Sequence, residues 1–334
     1  MTNNHLQSLN HHQTLAHKLG RLLPSFLFDS MQPLWHRVRD VTLFILKRRG
    51  RIWFNWSLWS WIASRPMSDG RYMSIVIRSY RELRRFYQFG HLDKVNVDVS
   101  DNMEKLSEDL VFQWMKRISR CEVLYDVGTA NGLESFHVFH LHNCKIVMIE
   151  PFTPSIETIL KTAAYLKHSG KDISKIEVVH AAIDEAERYQ RLYMHSGPLP
   201  GSTNNSFANL EDYCRGGRQG IPVVTSQWVK SVTLDSLFQV HNLPIATHVK
   251  MDVDGFEDRA MRGAQELLKT RHVRSWIIEI SEEPNLKEIR ALMKAHGYIE
   301  VASQDHYPGY KYYCGDHLFM RDDLAEDWRK GLPI

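Results

Sequence analysis

From Ser100 onward, short apolar runs alternate with amphipathic stretches of helical spacing. That rhythm restricts the chain to an α/β fold built on a largely parallel sheet. Strands are expected at Val123–Val127, Lys145–Glu150, Ile176–Val179, His248–Val253, Trp276–Ile280, Tyr298–Ser303 and His317–Arg321. Helices are expected over Met103–Ile118, Gly132–His142, Thr153 to Gly170, Gly255–Leu268 and Leu286–His296, with Thr153 as cap and Pro154 at the first helical position of the third. The last two strands have only a loop between them, so they should run antiparallel, because a parallel crossover needs a dozen or more residues. The stretch 1–95 lacks this alternation and reads as a helical, amphipathic extension, which puts a boundary near residue 95 and one domain over 96–334. Within that domain, 196–223 is rich in Gly, Pro, Asn and Ser ("GPLPGSTNNSF"), long enough to be either a lid or a disordered insert.

In an open parallel sheet the ligand crevice lies beyond the carboxyl ends of the strands, where strand order reverses. The first strand there runs into "DVGTANG". Gly128 permits a sharp turn, Ala130 keeps the wall low, and Gly132 opens a helix whose first amides face a ligand. Asp126 and Asn131 flank the same turn, and Pro151 and Ala181 follow the next two strands. Glu150 ends the second strand, where a carboxylate accepts both hydroxyls of a ribose. Turn and acid together suit an adenosine-type ligand. A dinucleotide fingerprint wants a third glycine where Leu133 stands, which weakens the pyrophosphate reading and favours S-adenosylmethionine. His180 follows the third strand, placed either to meet an adenine ring or merely to cap the strand.

Five motifs in order, "DVGTANG", "IEPFTPS", "VTLDSL", "VKMDVDGFEDRAMRGA" and "IIEI", resemble the FkbM family of S-adenosylmethionine-dependent methyltransferases over about residues 120–282. The resemblance implies a class I, Rossmann-like methyltransferase fold with a seven-stranded sheet whose last strand is antiparallel. It also implies S-adenosylmethionine as cofactor and methyl transfer to a hydroxyl oxygen, often of a glycan, a sugar-containing metabolite or a natural product, as in polysaccharide biosynthesis. Asp126, Gly128 and Gly132 match the donor-binding turn, Glu150 the ribose acid, and Lys250, Asp252, Gly255 and Glu257 the acidic motif. Ala130 stands where the family usually has Asn, and Asp254 where it prefers Glu.

Methyl transfer from a sulfonium asks the protein to align an acceptor oxygen and take its proton. Asp252 and Glu279, at strand ends, are the expected catalytic pair. Asp254, Glu257, Asn205, His306 and Tyr310 are expected on the acceptor side, the last two within "HYPGYKYY". Against this, Asp254 and Glu257 open a helix and would serve equally as capping carboxylates, and the tyrosines would serve as packing. The acids around Asp252 have the oxygen chemistry for Mg²⁺, but the reaction requires no metal.

Charge excludes little by itself: 42 basic against 39 acidic residues leave a formal +3, which is no nucleic-acid signature. The four cysteines are scattered, without metal spacing or a disulfide framework, which fits a cytoplasmic protein. No run reaches the ~18 apolar residues of a membrane span. The front of the chain is basic, and "KRRGRIWFNWSLWSWIASR" (Lys47–Arg65) sets Trp53, Trp56, Trp59 and Trp61 behind a cluster of cations. Such a stretch either packs on the domain or a second copy in a homo-oligomer, or lies on an anionic membrane surface. Two competing readings stand beside methyl transfer: a nucleotide-dependent oxidoreductase on the same sheet, and a non-catalytic adaptor that keeps the fold.

Overall fold

The computed structural model describes residues 51–55, 60–66, 72–77, 109–118, 120–194, 205–208, 223–281, 283–306 and 313–334. The chain divides into two compact units, Met1–Arg51 and Ile52–Ile334, and the first lies outside the described residues apart from Arg51.

Three strands come first: β1 (Arg51–Asn55), β2 (Ser60–Pro66) and β3 (Tyr72–Ile77) form a small sheet in that order. This corrects the helical reading of the extension over these residues. Their β-branched and aromatic content ("RIWFN", "YMSIVI") suits a pleated, half-buried surface, and β2 and β3 pair antiparallel from Trp61 opposite Ile77 to Pro66 opposite Tyr72. Trp56 and Trp59, and the side chains of Trp53 and Trp61, fall outside the described residues, as does the remainder of 1–95.

There follow α1 (Leu110–Arg117), β4 (Val123–Val127), α2 (Leu133–His142), β5 (Lys145–Ile149), α3 (Thr153–His168) and β6 (Ile176–Val179). Phe152 rather than Thr153 holds the cap position of α3, because Thr153 is already helical and Pro154 sits in the first turn, where its missing N–H is no loss. β3 lies against α2 and α3. A second sheet, β7 (Ala182–Ile183), β8 (Tyr189–Met194), β9 (Ser206–Ala208) and β10 (Thr225–Val232), comes next in the order β7-β10-β8-β9. So the expected insert contributes a strand, β9; most of 196–223 lies outside the described residues.

The rest comprises α4 (Leu234–Gln239), β11 (His248–Met251), α5 (Glu257–Arg262), α6 (Gln265–Thr270), β12 (Ser275–Ile280), α7 (Glu283–Ala295), β13 (Tyr298–Asp305), β14 (Gly315–Arg321), a 3₁₀ turn and α8 (Ala325–Arg329). The expected single helix over Gly255–Leu268 is two, broken at Gly263: a Cβ there would stand 2.4 Å from the Asp184 carbonyl oxygen, so the backbones touch where the helix would continue.

The main sheet has seven strands in the order β13-β14-β12-β11-β4-β5-β6, and β14 alone runs antiparallel to both its neighbours. This is the class I methyltransferase topology. Its central strands are buried on both faces, which is why they read as continuous apolar runs; Tyr125, Val127, Val249, Met251, Trp276 and Ile278 sit in the main core. Each such side chain contributes ~1.5–3 kcal/mol by leaving water. Strand order reverses at β4, between β5 and β11, and that geometry opens the crevice. No helix among the described residues is long and apolar enough to cross a membrane.

Candidate active site

A cavity of about 690 Å³, its open mouth included, lies over the carboxyl ends of β4, β5 and β11. β4 ends in a turn with Gly128 at φ +75° and Ala130 at φ +50°. The amides of Gly128 and Thr129 both donate to the Ile149 carbonyl (2.9 and 3.2 Å), which ties the turn to β5. Beneath it Asp126 is fully buried, and its Oδ2 accepts from Thr129 Oγ1 (2.8 Å) and Ser135 Oγ (2.6 Å). Lys250 Nζ lies 3.5 Å from Asp126 Oδ1 and 4.0 Å from Asp252 Oδ2. Burial works against that cation, but the carboxylates of Asp126 and Asp252 outweigh it and hold the ammonium above its ordinary value. Asp126 therefore braces the turn from below. Gly132, at φ +77°, starts α2 against the Phe136 ring, and Asn131 Oδ1 accepts from the Leu133 amide (3.3 Å).

Glu150 closes the other side. Its Oε2 accepts from the Ala130 amide (2.8 Å) and its Oε1 from the Phe152 amide (2.9 Å). Burial pushes its carboxyl up to about 8, against the pull of those two amides. Asp252 follows β11, with its amide bound to the Val127 carbonyl (2.9 Å) and its side chain 36% exposed at the cavity. Asp254, at φ +57°, accepts from the Asn205 amide through Oδ2 (3.2 Å), which draws the strand β9 over the cavity.

Glu257 is fully buried, with Oε1 accepting from the Gly255 amide (2.9 Å) and Oε2 without a hydrogen-bond partner. Burial pushes its carboxyl up to about 8, so the native state keeps a proton that the unfolded chain releases above its ordinary 4.5. Its contribution to stability is therefore greatest below about 4.5 and is lost as the pH rises towards about 8. Glu257→Gln, which keeps the acceptor and cannot ionise, should raise the melting temperature at pH 8 and leave it nearly unchanged at pH 5. Melting curves at the two pH values check this.

On the neighbouring rim, Glu279 ends β12, and the β13–β14 pair brings His306 and Cys314 to it. His306 Nδ1 lies 3.5 Å from Glu279 Oε2 and 3.7 Å from Cys314 Sγ, while Nε2 donates to Asp316 Oδ2 (2.7 Å). The negative charge of Asp252, then burial, pushes the Glu279 carboxyl up to about 9. The hydrogen bond to Asp316 comes first among the causes that lift the His306 imidazole above its ordinary range.

Of the residues expected at the site, Gly128, Ala130, Glu150, Pro151, Ala181, Asn205, Asp252 and Asp254 line the cavity together. Asp126, Asn131, Gly132 and Glu257 are not on its wall; Asp126 and Glu257 are buried and shape the turns beside it. His180 is exposed, its Nε2 meeting the carbonyl of the wall residue Pro151 (3.0 Å), at the edge of the cavity and not among the residues that line it. Glu279 and His306 sit on the adjacent rim, and Tyr310 lies outside the described residues. The structure adds Leu192 and Phe207 to the wall and Asp316 and Cys314 to the rim. Leu192 had a signal in the alternation of β8, where it and Met194 are buried between more exposed neighbours.

The profile of the methyltransferase FkbM domain matches residues 126–300, more than half the chain. No curated protein sequence gives a significant match. Among solved structures, the chain is similar to the FkbM methyltransferase of Methylobacillus flagellatus KT, at 12% identity and TM-score 0.40 over 71% of this chain and 59% of that one. It is similar to M. capricolum TrmK in complex with S-adenosyl-homocysteine, at 12% identity and TM-score 0.36 over 64% of this chain and 67% of that one. It is also similar to a putative RNA methyltransferase of Pyrococcus horikoshii, at 11% identity and TM-score 0.37 over 73% of this chain and 98% of that one.

Proposed function

The chain belongs to the FkbM methyltransferase family, and we propose that it moves a methyl group from S-adenosylmethionine to a hydroxyl oxygen of a sugar-containing acceptor. The charge of the cavity carries the donor reading. Glu150, Asp252 and Asp254 line it, and no Lys, Arg or His is among the described residues that do. A sulfonium cation is at home there, whereas the pyrophosphate of a dinucleotide would meet the two aspartates and the Glu150 carboxyl with no cation to offset its charge. The turn fits the same guest. Glu150 spends one lone pair of each oxygen on the backbone and keeps others for two neighbouring ribose hydroxyls.

When bound, the donor supplies an activated methyl group, and the protein aligns an acceptor oxygen behind it. Well-oriented reactions gain ~7–11 kcal/mol from alignment. Asp252, partly exposed at the cavity edge with its backbone locked to β4, is the group to receive the hydroxyl proton. Lys250 beside it balances the charge of Asp126 below.

Calorimetry with S-adenosylmethionine, S-adenosylhomocysteine and NAD tests the donor reading: the first two should bind and NAD should not. Glu150→Ala should weaken donor affinity at least ~10-fold, the value of two hydrogen bonds at ~0.5–1.5 kcal/mol each. Binding of NAD alone would replace methyl transfer with the oxidoreductase reading. Mass spectrometry of hydroxyl-bearing sugar acceptors after incubation with isotope-labelled donor tests the acceptor class.

A further inference from the structure

We propose that Glu279, His306 and Cys314 form a site for a zinc-type divalent cation on the acceptor rim. One Nδ1, one Sγ and one carboxylate oxygen lie within 4.8 Å of one another. Nitrogen, thiolate and carboxylate are the ligands zinc takes, at ~2.0–2.3 Å in a tetrahedral arrangement, and those bonds place neighbouring ligand atoms ~3.4–3.6 Å apart. His306 Nδ1 lies 3.5 Å from Glu279 Oε2 and 3.7 Å from Cys314 Sγ. Two edges of the coordination shell are thus already close to their bonded lengths, and the third, between Glu279 and Cys314, is no longer than 4.8 Å, a gap that side-chain rotation can close.

A second observation is independent of those spacings. A metal-bound histidine is oriented by a hydrogen bond from its other ring nitrogen to a carboxylate or carbonyl. Asp316 is that partner here: its Oδ2 accepts from His306 Nε2 at 2.7 Å, and its side chain is only 9% exposed. The bond turns Nδ1 towards Glu279 and Cys314. The sheet supplies the rigidity, since Glu279 pairs with Asp316 across β12 and β14, and Gln304 with Asp316 across β13 and β14. Entry of the cation displaces a proton from Nδ1 and one from the thiol to solvent, the ordinary exchange for such ligands. Three protein ligands leave a fourth position for an oxygen, that of water or, if the methyl-transfer reading holds, of the acceptor hydroxyl.

Zinc content needs neither donor nor acceptor, so failure of this site and failure of the methyl-transfer reading are told apart. The wild-type chain, dialysed against zinc in reducing buffer and then against zinc-free buffer, should retain one zinc by elemental analysis. His306→Ala and Cys314→Ala should lose it while keeping their melting transitions. Asp316→Asn should weaken zinc affinity ~10–100-fold, as for other partners of metal-bound histidines. Replacement by cobalt should give a thiolate-to-metal charge-transfer band in the wild type that is absent from Cys314→Ala. A wild type that retains no zinc overturns the proposal. So does zinc that persists in both His306→Ala and Cys314→Ala, since it would then belong to other groups, such as His5, His11, His12 and His17 near the N-terminus.

Discussion

Gly128→Ala should abolish measurable donor binding and lower the melting temperature more than any other single change at the cavity. A Cβ on Gly128 would stand 1.8 Å from the Asp252 carbonyl oxygen and 2.8 Å from its carbon, both backbone atoms that cannot swing aside. The φ of +75° adds a cost of ~1–2 kcal/mol for any residue with a Cβ. Relief requires β4 and β11 to separate where Val127 pairs with Met251, in the middle of the sheet. Damage of that kind costs ~3 kcal/mol or more, which for a domain of this size is ~6–12 °C in melting temperature. The same separation would carry Asp252 away from the turn that Glu150 holds, so binding and stability should fail together. Thermal melts and donor calorimetry on the variant decide: wild-type values in both would mean that turn and acidic loop do not touch as described.

The sequence showed the centre of the main sheet because β4, β5, β11 and β12 are buried on both faces and so read as largely apolar runs. Its acids were legible for the same reason, since Glu150, Asp252 and Glu279 each lie at or just past the carboxyl end of one of these strands. The second sheet was less visible. In β8 and β10 buried residues alternate with exposed ones such as Tyr189 and Trp228, and their apolar content is too thin to stand out from a loop. Misreading of the first three strands has a definite cause: Trp53, Trp56 and Trp59 recur every third residue, which imitates a helical face. His180 stands at the margin of the cavity, its ring nitrogen on the carbonyl of Pro151, which with Ala181 lines the wall. The rim was hidden by distance along the chain. Asp316 meets His306 only because β13 and β14 pair with Gln304 opposite Asp316, a register no local pattern announces.

Asp252→Asn should retain donor affinity within a few-fold and lose ~10²–10⁴-fold in kcat, the usual contribution of a general base. The substitution is nearly isosteric. Asn can still accept a hydrogen bond from an acceptor hydroxyl, so alignment is largely kept while the ability to take the proton is removed. The backbone should not respond, because the amide at 252 remains bound to the Val127 carbonyl (2.9 Å) and the side chain is already 36% exposed. Lys250 keeps Asp126 as its nearer partner, at 3.5 Å against 4.0 Å for Asp252, so the buried cation stays compensated and the melting temperature should move little. Loss of kcat with unchanged donor affinity would therefore report on chemistry and not on folding. A hundredfold loss corresponds to ~2.7 kcal/mol of transition-state stabilisation. Single-turnover rates with saturating donor separate the remaining possibilities. If kcat holds within threefold while KM for the acceptor rises, Asp252 only positions the hydroxyl, and the proton must leave by another group on the rim.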